Sequence, residues 1–440
     1  MIKLNSIIEA DFESILIQLK GGILRNYKFD VAVIGGGSAG IAASLGAAQA
    51  GAKTLLIERN ASFGGQATNA GVTAFCGFFT RGERPDQVVQ GVGGEVLRRL
   101  AYYGTNIHPK PSKSTGNVSV SFDPEILKWV LDNLMQESQV TYLLHTSMIR
   151  AQREGDRVVS IECLDEEGPF TVEAKSFVDA SGNANLVHLA GIETRWGDEN
   201  GNVQQSSLSF RIDHLPKREI LKSELEEAIH KGKLQGIAHL EKETGLIIKS
   251  PSADYGYCTI PSIILKDLSA RTMTDAEIEL RAQIAAYVEA FRRNIADFAD
   301  IQVATSGPQL GIRESRRIIG DETLLGEVIV RGTKREDSIG RGAWSPEMHR
   351  SNTKLEYTVL PDNTYFSIPL GALKVTGIPG LWAAGRIIST DSLALGSVRV
   401  MGTGFATGQA AGVAAALFGD QPTYNVKAVQ KELERQGALL

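Results

Sequence analysis

Near its start, the chain alternates between short apolar runs and one alanine-rich segment. Residues 29–34 are mostly apolar, which is typical of a buried parallel strand. Residues 38–50 are rich in alanine and contain no proline, so they predict a helix with Gly51 at its carboxyl end. A second apolar run, residues 53–57, ends at Glu58. This order of strand, helix and strand predicts a βαβ unit.

The pattern then changes from helical to β. Residues 86–104 and 123–138 predict helices, and in the second Asp123 is a suitable N-cap with Pro124 at the first helical position. Residues 140–178 contain short apolar segments separated by turns. We expect this stretch to be a β-meander rather than a further βαβ unit.

The remainder of the chain is mixed and then becomes rich in glycine and alanine. A helix is predicted near residues 274–299. Strands are predicted near residues 206–212, 257–265 and 355–368. The glycine- and alanine-rich composition returns at residues 377–419. A βαβ unit at the start, a long segment of different composition and a later glycine- and alanine-rich segment similar to the start predict an α/β protein. The first and last of these segments would form one domain, interrupted by another.

Length, charge and cysteine content limit the class of protein. The chain has 440 residues, which exceeds the ~250–300 residues that one core supports, so two domains are expected. The net charge is −5, without a basic stripe for nucleic acid or a polybasic cluster for anionic lipid. Three scattered cysteines, Cys76, Cys163 and Cys258, favour a reducing compartment and no metal site. With no apolar run of membrane length and no signal-peptide pattern, we expect a cytoplasmic protein without membrane or nucleic-acid partners.

The glycine-rich turn after the first strand carries the clearest chemistry. Gly35, Gly37 and Gly40 form G-x-G-x-x-G. In a dinucleotide site the first glycine makes the tight turn, the second lets the backbone approach a pyrophosphate, and the third lets the helix pack against the strand. The helix amino end faces the phosphates, and an acid about twenty residues later, here Glu58, accepts ribose hydroxyls. The turn therefore predicts a dinucleotide site.

Two later segments are weaker indications of the same site. The apolar run 381–384 ends at Gly385-Arg386, and Gly404, Gly408 and Gly412 share one face of the following helix. That smooth face suits close approach of a cofactor or strand, with ordinary close helix packing as the alternative. A strand also runs into Ala180-Ser181-Gly182, which taken alone fits a ligand contact and a plain strand exit equally well.

Together these motifs resemble single-chain FAD-dependent oxidoreductases, distant relatives of the succinate dehydrogenase and fumarate reductase flavoprotein subunit. The resemblance covers about residues 30–420. Its motifs are GGGSAG at 35–40, Glu58, GGQAT at 64–68, VDASG at 178–182, GIRESRRIIG at 311–320, FSIPLGAL at 366–373, AAGR at 383–386 and the helix start at 397–412. It implies FAD as cofactor and a doubly wound, Rossmann-like FAD-binding domain with a β-meander, plus an inserted α+β substrate domain.

The resemblance also implies domain boundaries. Residues 29–84, 139–195 and 376–420 would form the FAD-binding domain, and residues 85–138 and 196–375 the substrate or cap domain. Residues 1–28 would be an N-terminal extension and residues 421–440 a C-terminal tail.

Cofactor contacts are implied along the whole length of FAD. The pyrophosphate would lie on Gly35, Gly37, Ser38, Ala39 and Gly40, and the adenosine on Glu58, Arg59, Met148, Ser181 and Gly182. The pyrophosphate and flavin would run along Gly64, Gly65, Gln66, Ala67 and Thr68, with Gly385 and Arg386 at the ribityl chain and Met401, Gly402 and Thr403 at the flavin pyrimidine edge. Arg386 stands where the broader pattern usually has Asp, which removes the usual carboxylate contact to the ribityl hydroxyls.

Several absences narrow the expected chemistry. Residues 64–84 contain no histidine, so noncovalent FAD is expected. The C-x4-C redox pair is absent, and Cys76 is interpreted as a small apolar loop residue. No second G-x-G-x-x-G occurs, which favours direct hydride transfer between flavin and a small polar or anionic substrate. The alternatives left open are an NAD(P)H-dependent FAD monooxygenase and a non-catalytic or RNA-modifying flavoprotein; a homo-oligomer is also left open.

Three arginines are the candidate catalytic residues. Arg399 precedes the last glycine-rich helix, at a position that resembles the anion-binding arginine of fumarate reductase relatives. Arg313 and Arg317 lie close together around Glu314. Their guanidinium groups suit a carboxylate substrate, although a structural ion pair with Glu314 is an equal alternative. The seven histidines are scattered and each is interpreted as structural.

Overall fold

The structure is a computed structural model that describes residues 25–112, 115–250, 253–353 and 355–440. Most of the expected N-terminal extension, residues 1–28, lies outside the described residues. Its last residues are included, and the first strand already begins at Asn26.

The strands are β1 (Asn26–Ile34), β2 (Thr54–Ile57), β3 (Ala74–Cys76), β4 (Ser119–Ser121), β5 (Thr141–Leu143), β6 (Ser147–Glu154), β7 (Arg157–Asp165), β8 (Gly168–Asp179), β9 (Thr194–Trp196), β10 (Ser206–Ser207), β11 (Phe210–Asp213), β12 (Ile247–Lys249), β13 (Gly256–Cys258), β14 (Ser262–Ile263), β15 (Gln302–Ser306), β16 (Arg316–Ile318), β17 (Ser338–Gly342), β18 (Glu347–Met348), β19 (Glu356–Tyr357), β20 (Phe366–Pro369) and β21 (Leu381–Ala383).

The α-helices are α1 (Ser38–Gln49), α2 (Gln66–Asn69), α3 (Val92–Tyr102), α4 (Pro124–Gln136), α5 (Asn185–Leu189), α6 (Lys222–Leu234), α7 (Ala270–Asn294), α8 (Gly326–Val330), α9 (Ser392–Val398), α10 (Met401–Phe418) and α11 (Val426–Arg435). Short 3₁₀ turns occur at Ala296–Phe298, Leu370–Ala372 and Gly385–Ile387.

The main sheet has a parallel centre in the order β5-β2-β1-β8. Strand β8 is 12 residues long and serves two neighbours on its other side. Its first half pairs antiparallel with β7, and its last residues pair parallel with β21. The predicted α/β class and the opening βαβ unit are confirmed, because β1 and β2 are parallel and joined by α1.

The predicted meander is correct for β6, β7 and β8 but wrong for its first strand. Strand β5 pairs parallel with β2 and extends the central sheet, whereas β6 and β7 pair antiparallel. The short run at 141–143 is a half-exposed edge strand, and sequence periodicity alone does not distinguish such a strand from the first strand of a meander.

The glycine face of α10 packs against a helix. A Cβ on Gly408 would lie 2.1 Å from the carbonyl oxygen of Ala39, and one on Gly412 would lie 1.9 Å from that of Ala43. Our expectation that a cofactor or strand approaches this face is therefore wrong at Gly408 and Gly412, where close packing against α1 requires glycine. That contact fixes the amino ends of both helices side by side.

A second core lies in the middle of the chain. The four-stranded sheet β12-β13-β11-β15 packs with α6 and α7 around buried residues such as Phe210, Ile229 and Tyr287. The predicted helix near 274–299 begins earlier, at Ala270, because Ser269 accepts from the backbone N–H of Thr272 as N-cap.

The segment expected to be a C-terminal tail contains α11. Its Val429 and Leu433 are buried in the hydrophobic core that surrounds the main sheet and α10. Within the described residues, no helix combines the length and the apolar character that a membrane crossing requires.

Candidate cofactor cleft and charged cluster

A deep cleft lies at the carboxyl ends of β1, β2, β8 and β21. Its cavity volume is about 280 Å³, and it is open to solvent. Such crevices are where ligands bind in open α/β sheets. Predicted cofactor residues that line it are Gly35, Gly37, Ser38, Ala39, Glu58, Arg59, Gly65, Gln66, Met148, Ser181, Gly182, Gly385, Arg386 and Met401. Gly40, Gly64, Ala67, Thr68, Gly402 and Thr403 lie behind this lining.

The turn after β1 owes its shape to glycine. Gly35 has φ +103°, a conformation that side chains disfavour, and a Cβ on Gly40 would lie 1.7 Å from the carbonyl oxygen of Gly35. Gly37 differs, since its φ is −73° and its Cβ would meet only Gly65 Cα at 3.7 Å. Gly35 and Gly40 therefore build the turn, while Gly37 leaves its surface open toward the cleft.

The second predicted loop packs on this turn. Gly64 N–H donates to Gly36 O at 2.8 Å, and Gly65, with φ +57°, brings its Cα within reach of Gly37. Thr68 is buried and its hydroxyl donates to Phe63 O at 2.6 Å. The role of Gly64, Ala67 and Thr68 is thus to hold the loop that presents Gly65 and Gln66.

Glu58 is almost fully buried at the wall of the cleft. Its carboxylate accepts from Gly36 N–H at 2.6 Å and from both Asn60 N–H groups, backbone and side chain, at 2.8 and 2.6 Å. Thr146, which follows the neighbouring strand β5, donates its backbone N–H to the carbonyl oxygen of Glu58 at 3.0 Å. Glu58 therefore links the glycine turn to the segment that carries Met148.

Arg386 is a cleft residue without a counter-ion. Its Nη2 donates to Asn183 Oδ1 at 2.9 Å, while its Nε is buried and has no partner among the described residues. No carboxylate of the described residues forms an ion pair with it. Burial and the charges of Arg59 and Arg399 lower the pKa of Arg386 to about 10. This guanidinium stays charged at neutral pH, within the electrostatic influence of the two other cleft arginines.

Arg399 lies at the break between α9 and α10. It ends α9, and Val400 is the N-cap of α10. The side chain lines the cleft, and its Nη2 reaches Glu347 O at 3.3 Å and Glu347 Oε2 at 3.5 Å. Beside it, Gly402 packs on Cys76 O, and the buried hydroxyl of Thr403 has no partner.

Glu347 is surrounded by donors. Tyr357 OH donates to Glu347 Oε1 at 2.8 Å, and His349 Nε2 lies 3.3 Å from the same atom. Burial opposes its ionisation, but His349 and Arg399 together hold the pKa of Glu347 well below its usual range. Burial and the charge of Arg313 lower the pKa of His349 to about 3. At neutral pH this is an ionised carboxylate with a neutral histidine.

Two further cations complete the group. Arg313 Nη1 donates to Gln205 O at 2.7 Å and to Ser207 Oγ at 2.6 Å, and burial together with Arg399 lowers its pKa to about 10. Burial and the charge of Arg313 lower the pKa of Lys242 to about 8. We call the set Arg313, Glu347, His349, Tyr357, Arg399 and Lys242 the charged cluster.

Arg317 lies apart from this cluster. It is 1% exposed; its Nη1 donates to Glu314 Oε1 at 2.6 Å and its Nη2 to Gly197 O at 2.6 Å. Successive side chains of a strand point to opposite faces, and Arg317 on β16 points into the interior. The structural alternative therefore fits Arg317, while Arg313 and Arg399 come together.

Sequence reasoning missed Lys242, Glu347, His349 and Tyr357. The segment Glu347-Met348-His349 follows a stretch without glycine motifs, and His349 was interpreted as structural. The i, i+2 spacing of Glu347 at β18 and His349 just after it, which puts both on the same face if the backbone stays extended, was the available indication. Cys76 lies nearby and ends β3, so its interpretation as a loop residue is wrong. Burial raises its pKa to about 12, which agrees with an apolar rather than a redox role.

Comparison with known proteins connects the cleft to a family. The family model described as FAD dependent oxidoreductase matches residues 30–433. Thiamine thiazole synthase of Methanococcus aeolicus is 24% identical over 199 residues, which cover 41% of this chain and 69% of that protein. Digeranylgeranylglycerophospholipid reductase 2 of Methanopyrus kandleri is 30% identical over 167 residues, or 38% of this chain and 40% of that protein.

Solved structures of similar arrangement cover most of the chain. A geranylgeranyl bacteriochlorophyll reductase-like protein of Thermoplasma acidophilum aligns with a TM-score of 0.47 and 14% identity, over 93% of this chain and 83% of that one. GidA of Aquifex aeolicus aligns with a TM-score of 0.49 and 14% identity, over 90% and 65%.

Proposed function

The chain belongs to the FAD-dependent oxidoreductase family, and from this we propose that it transfers a hydride between a small anionic substrate and noncovalent FAD. The observation that carries the proposal is the position of Arg399. Its side chain lines the cofactor cleft and also contacts Glu347 of the charged cluster. Cofactor and substrate sites would therefore meet at one guanidinium.

The residues of the cleft fit FAD. Gly37 leaves backbone surface for a diphosphate, and Glu58 offers carboxylate oxygens at the wall. The uncompensated charge of Arg386, beside the amino end of α1, suits the two negative charges of the diphosphate. We propose that Arg386 takes this role instead of a ribityl contact. When bound, FAD supplies the two-electron acceptor or donor.

The protein groups would position substrate and stabilise charge. Arg399 is held by Glu347, so its guanidinium has a fixed orientation where negative charge changes during hydride transfer. From the sequence we expect Arg399 to stand where fumarate reductase relatives have an anion-binding arginine, and we propose the same role for it here. The division into an FAD-binding domain and a substrate domain is part of the proposal, because the cluster draws on residues from the segment 196–375 and from 399.

The proposal is tested by isolating the protein and screening reductants. We expect a yellow protein that releases intact FAD on acid denaturation, and colour that stays with the denatured chain would contradict noncovalent binding. Under anaerobic conditions we expect small carboxylates, rather than NADPH or NADH, to bleach the flavin. Rapid bleaching by NADPH alone would favour a monooxygenase, and no bleaching by any reductant would favour a non-catalytic flavoprotein.

A further inference from the structure

We infer that the charged cluster binds the carboxylate of a small substrate that carries no ammonium group, with Arg313 and Lys242 as its ligands. This inference rests on the proposed function and names the substrate class for it. It predicts that hydroxy, keto or unsaturated acids bind in preference to amino acids or amines.

The first argument is the balance of charge. Arg313, Arg399 and Lys242 are three cations, and Glu347 is the single carboxylate of the described residues whose charge acts on all of them. Glu347 is already engaged by Arg399, His349 and Tyr357. Buried charges without partners are costly, so the remaining positive charge favours an anionic ligand.

The second argument is that Arg313 is held in place by hydrogen bonds that use only part of its donor capacity. One of its nitrogens, Nη1, makes both of its hydrogen bonds, to Gln205 O and Ser207 Oγ. A guanidinium has five N–H donors. The N–H groups of Nε and Nη2 make no hydrogen bond to any residue that the structure describes, so they remain available to a ligand. This leaves an oriented fork of the kind that binds a carboxylate with two hydrogen bonds.

Lys242 gives a third, independent argument. Its backbone is fixed on both sides by Tyr287, whose hydroxyl accepts from Lys242 N–H at 2.7 Å and donates to Lys242 O at 2.8 Å. The residue is 8% exposed, yet its Nζ has no hydrogen bond or ion pair with any residue that the structure describes. A rigid backbone thus carries an ammonium group that lacks an acceptor among the described residues.

The buried lysine Lys374 shows what a structural lysine looks like here. It is 3% exposed and burial lowers its pKa to about 8, as for Lys242. Its Nζ, however, donates to the carbonyl oxygens of Val375, at 2.8 Å, and Ile378. Lys374 is satisfied by the protein itself, whereas Lys242 is left for a ligand.

Other donors near Arg399 and His349 are also unsatisfied. Gln204 is fully buried, and its Oε1 accepts from His349 N–H at 3.2 Å while its Nε2 has no acceptor. The Nε of Arg399 is likewise buried without an acceptor. Buried donors are normally paired, so these two support a ligand that brings acceptor oxygens. Two acceptors of the same region, Gln205 Oε1 and His349 Nδ1, are also buried without a partner among the described residues, so the preference against an ammonium group rests on the three cations.

The test is calorimetric titration of the FAD-loaded protein with malonate, acetate, glycine and ethylammonium. We expect malonate to bind with a dissociation constant of about 1 mM or tighter. Acetate should bind more weakly than malonate but more tightly than glycine, and ethylammonium should show no binding. Malonate and ethylammonium binding equally well, or malonate not binding, would overturn the inference.

Variants locate the site. R313Q and K242Q should each weaken malonate binding by at least about thirtyfold, since one partner of a buried charge pair is lost. The exposed cations Lys266 and Arg271 are the matched controls, so K266Q and R271Q should bind malonate like the unmodified protein. Unchanged malonate binding in both R313Q and K242Q would place the anion elsewhere. If R313Q fails to fold, R313K keeps the charge but loses the planar fork, so it should bind malonate more weakly than the unmodified protein. If K242Q fails to fold, K242R keeps the charge and should bind malonate more tightly than a variant that lacks it.

The outcome is separable from that of the proposed function. Flavin bleached by an uncharged alcohol or an amine, with no binding of malonate, would leave hydride transfer standing and remove the carboxylate site. If malonate binding depends on Arg313 and Lys242 but no donor reduces the flavin, the carboxylate site stands and the proposed hydride transfer is wrong.

Discussion

The two ends of the cleft are built in different ways. At the glycine turn, backbone geometry makes the site, with Gly40 allowing α1 to approach β1 and Gly37 leaving open surface. At the charged cluster, long side chains from segments far apart in the chain make the site, and Arg399 reaches Glu347 across 52 positions. The comparison teaches that changes at the first end act on FAD binding and on the fold, whereas changes at the second act on substrate.

The largest effect is expected at Gly40. In Gly40→Ala the new Cβ would lie 1.7 Å from the carbonyl oxygen of Gly35, so α1 must move. Overpacking usually costs ~1–3 kcal/mol and occasionally more. Here the new methyl group meets a backbone atom that cannot rotate away, so we expect a cost above that range, with FAD content lost together with a lower melting temperature. Gly37→Ala is the matched control, because its Cβ meets nothing closer than 3.7 Å.

The pair separates steric from ligand effects. Gly37→Ala should keep the melting temperature of the FAD-free protein and lose FAD affinity, since the methyl group occupies the surface where the diphosphate approaches. Normal FAD affinity in Gly37→Ala would place the diphosphate away from this turn.

The next effect is expected at Arg399. Arg399→Ala removes the guanidinium shared by the cleft and the cluster, and loss of one member of a buried charge pair costs ~2–5 kcal/mol. Flavin bleaching by the identified donor should slow by at least about thirtyfold, with FAD content unchanged. A collapse of both FAD occupancy and melting temperature would show that Arg399 is structural.

A smaller effect is expected at Glu58. Hydrogen bonds to charged groups contribute ~1.5–3 kcal/mol, so Glu58→Ala should weaken FAD binding by about tenfold or more. Glu58→Gln keeps the shape and part of the contacts with Gly36 and Asn60. Its FAD affinity should therefore lie between that of the unmodified protein and that of Glu58→Ala. Apoprotein titrated with FAD gives the affinities, and equal affinity for all three proteins would remove Glu58 from the cofactor site.

The smallest expected effect is a pH dependence of anion binding. The pKa of Lys242 is about 8, with Arg313, Glu347 and Cys258 acting on it. The ammonium group is charged below that pH and loses its proton above it, so malonate affinity should fall as the pH rises through 8. His349, with a pKa of about 3, does not titrate in this range. In Lys242→Gln the fall of malonate affinity above pH 8 should be absent. If the fall persists in this variant, another group is responsible for it.

The same contrast explains what the sequence could predict. The glycine turn, Glu58 and the strand before Ser181 depend on neighbouring residues, so spacing predicts them and the structure puts them in one cleft. The charged cluster depends on tertiary convergence of residues 242, 313, 347–357 and 399, which no local pattern shows. Arg317 illustrates the limit, because three arginines within five positions look alike in sequence, and only the alternation of β16 directs Arg317 to Glu314.

The most direct test of the account compares Glu58→Ala and Arg399→Ala in one experiment. For each protein, the ratio of flavin to protein is measured first, and then the rate of anaerobic bleaching per bound flavin at saturating FAD. We expect Glu58→Ala to lose occupancy while the bleaching rate per bound flavin stays normal, and Arg399→Ala to keep occupancy while that rate falls at least about thirtyfold. Occupancy and rate falling together in both variants would contradict a cleft whose two ends serve cofactor and substrate separately.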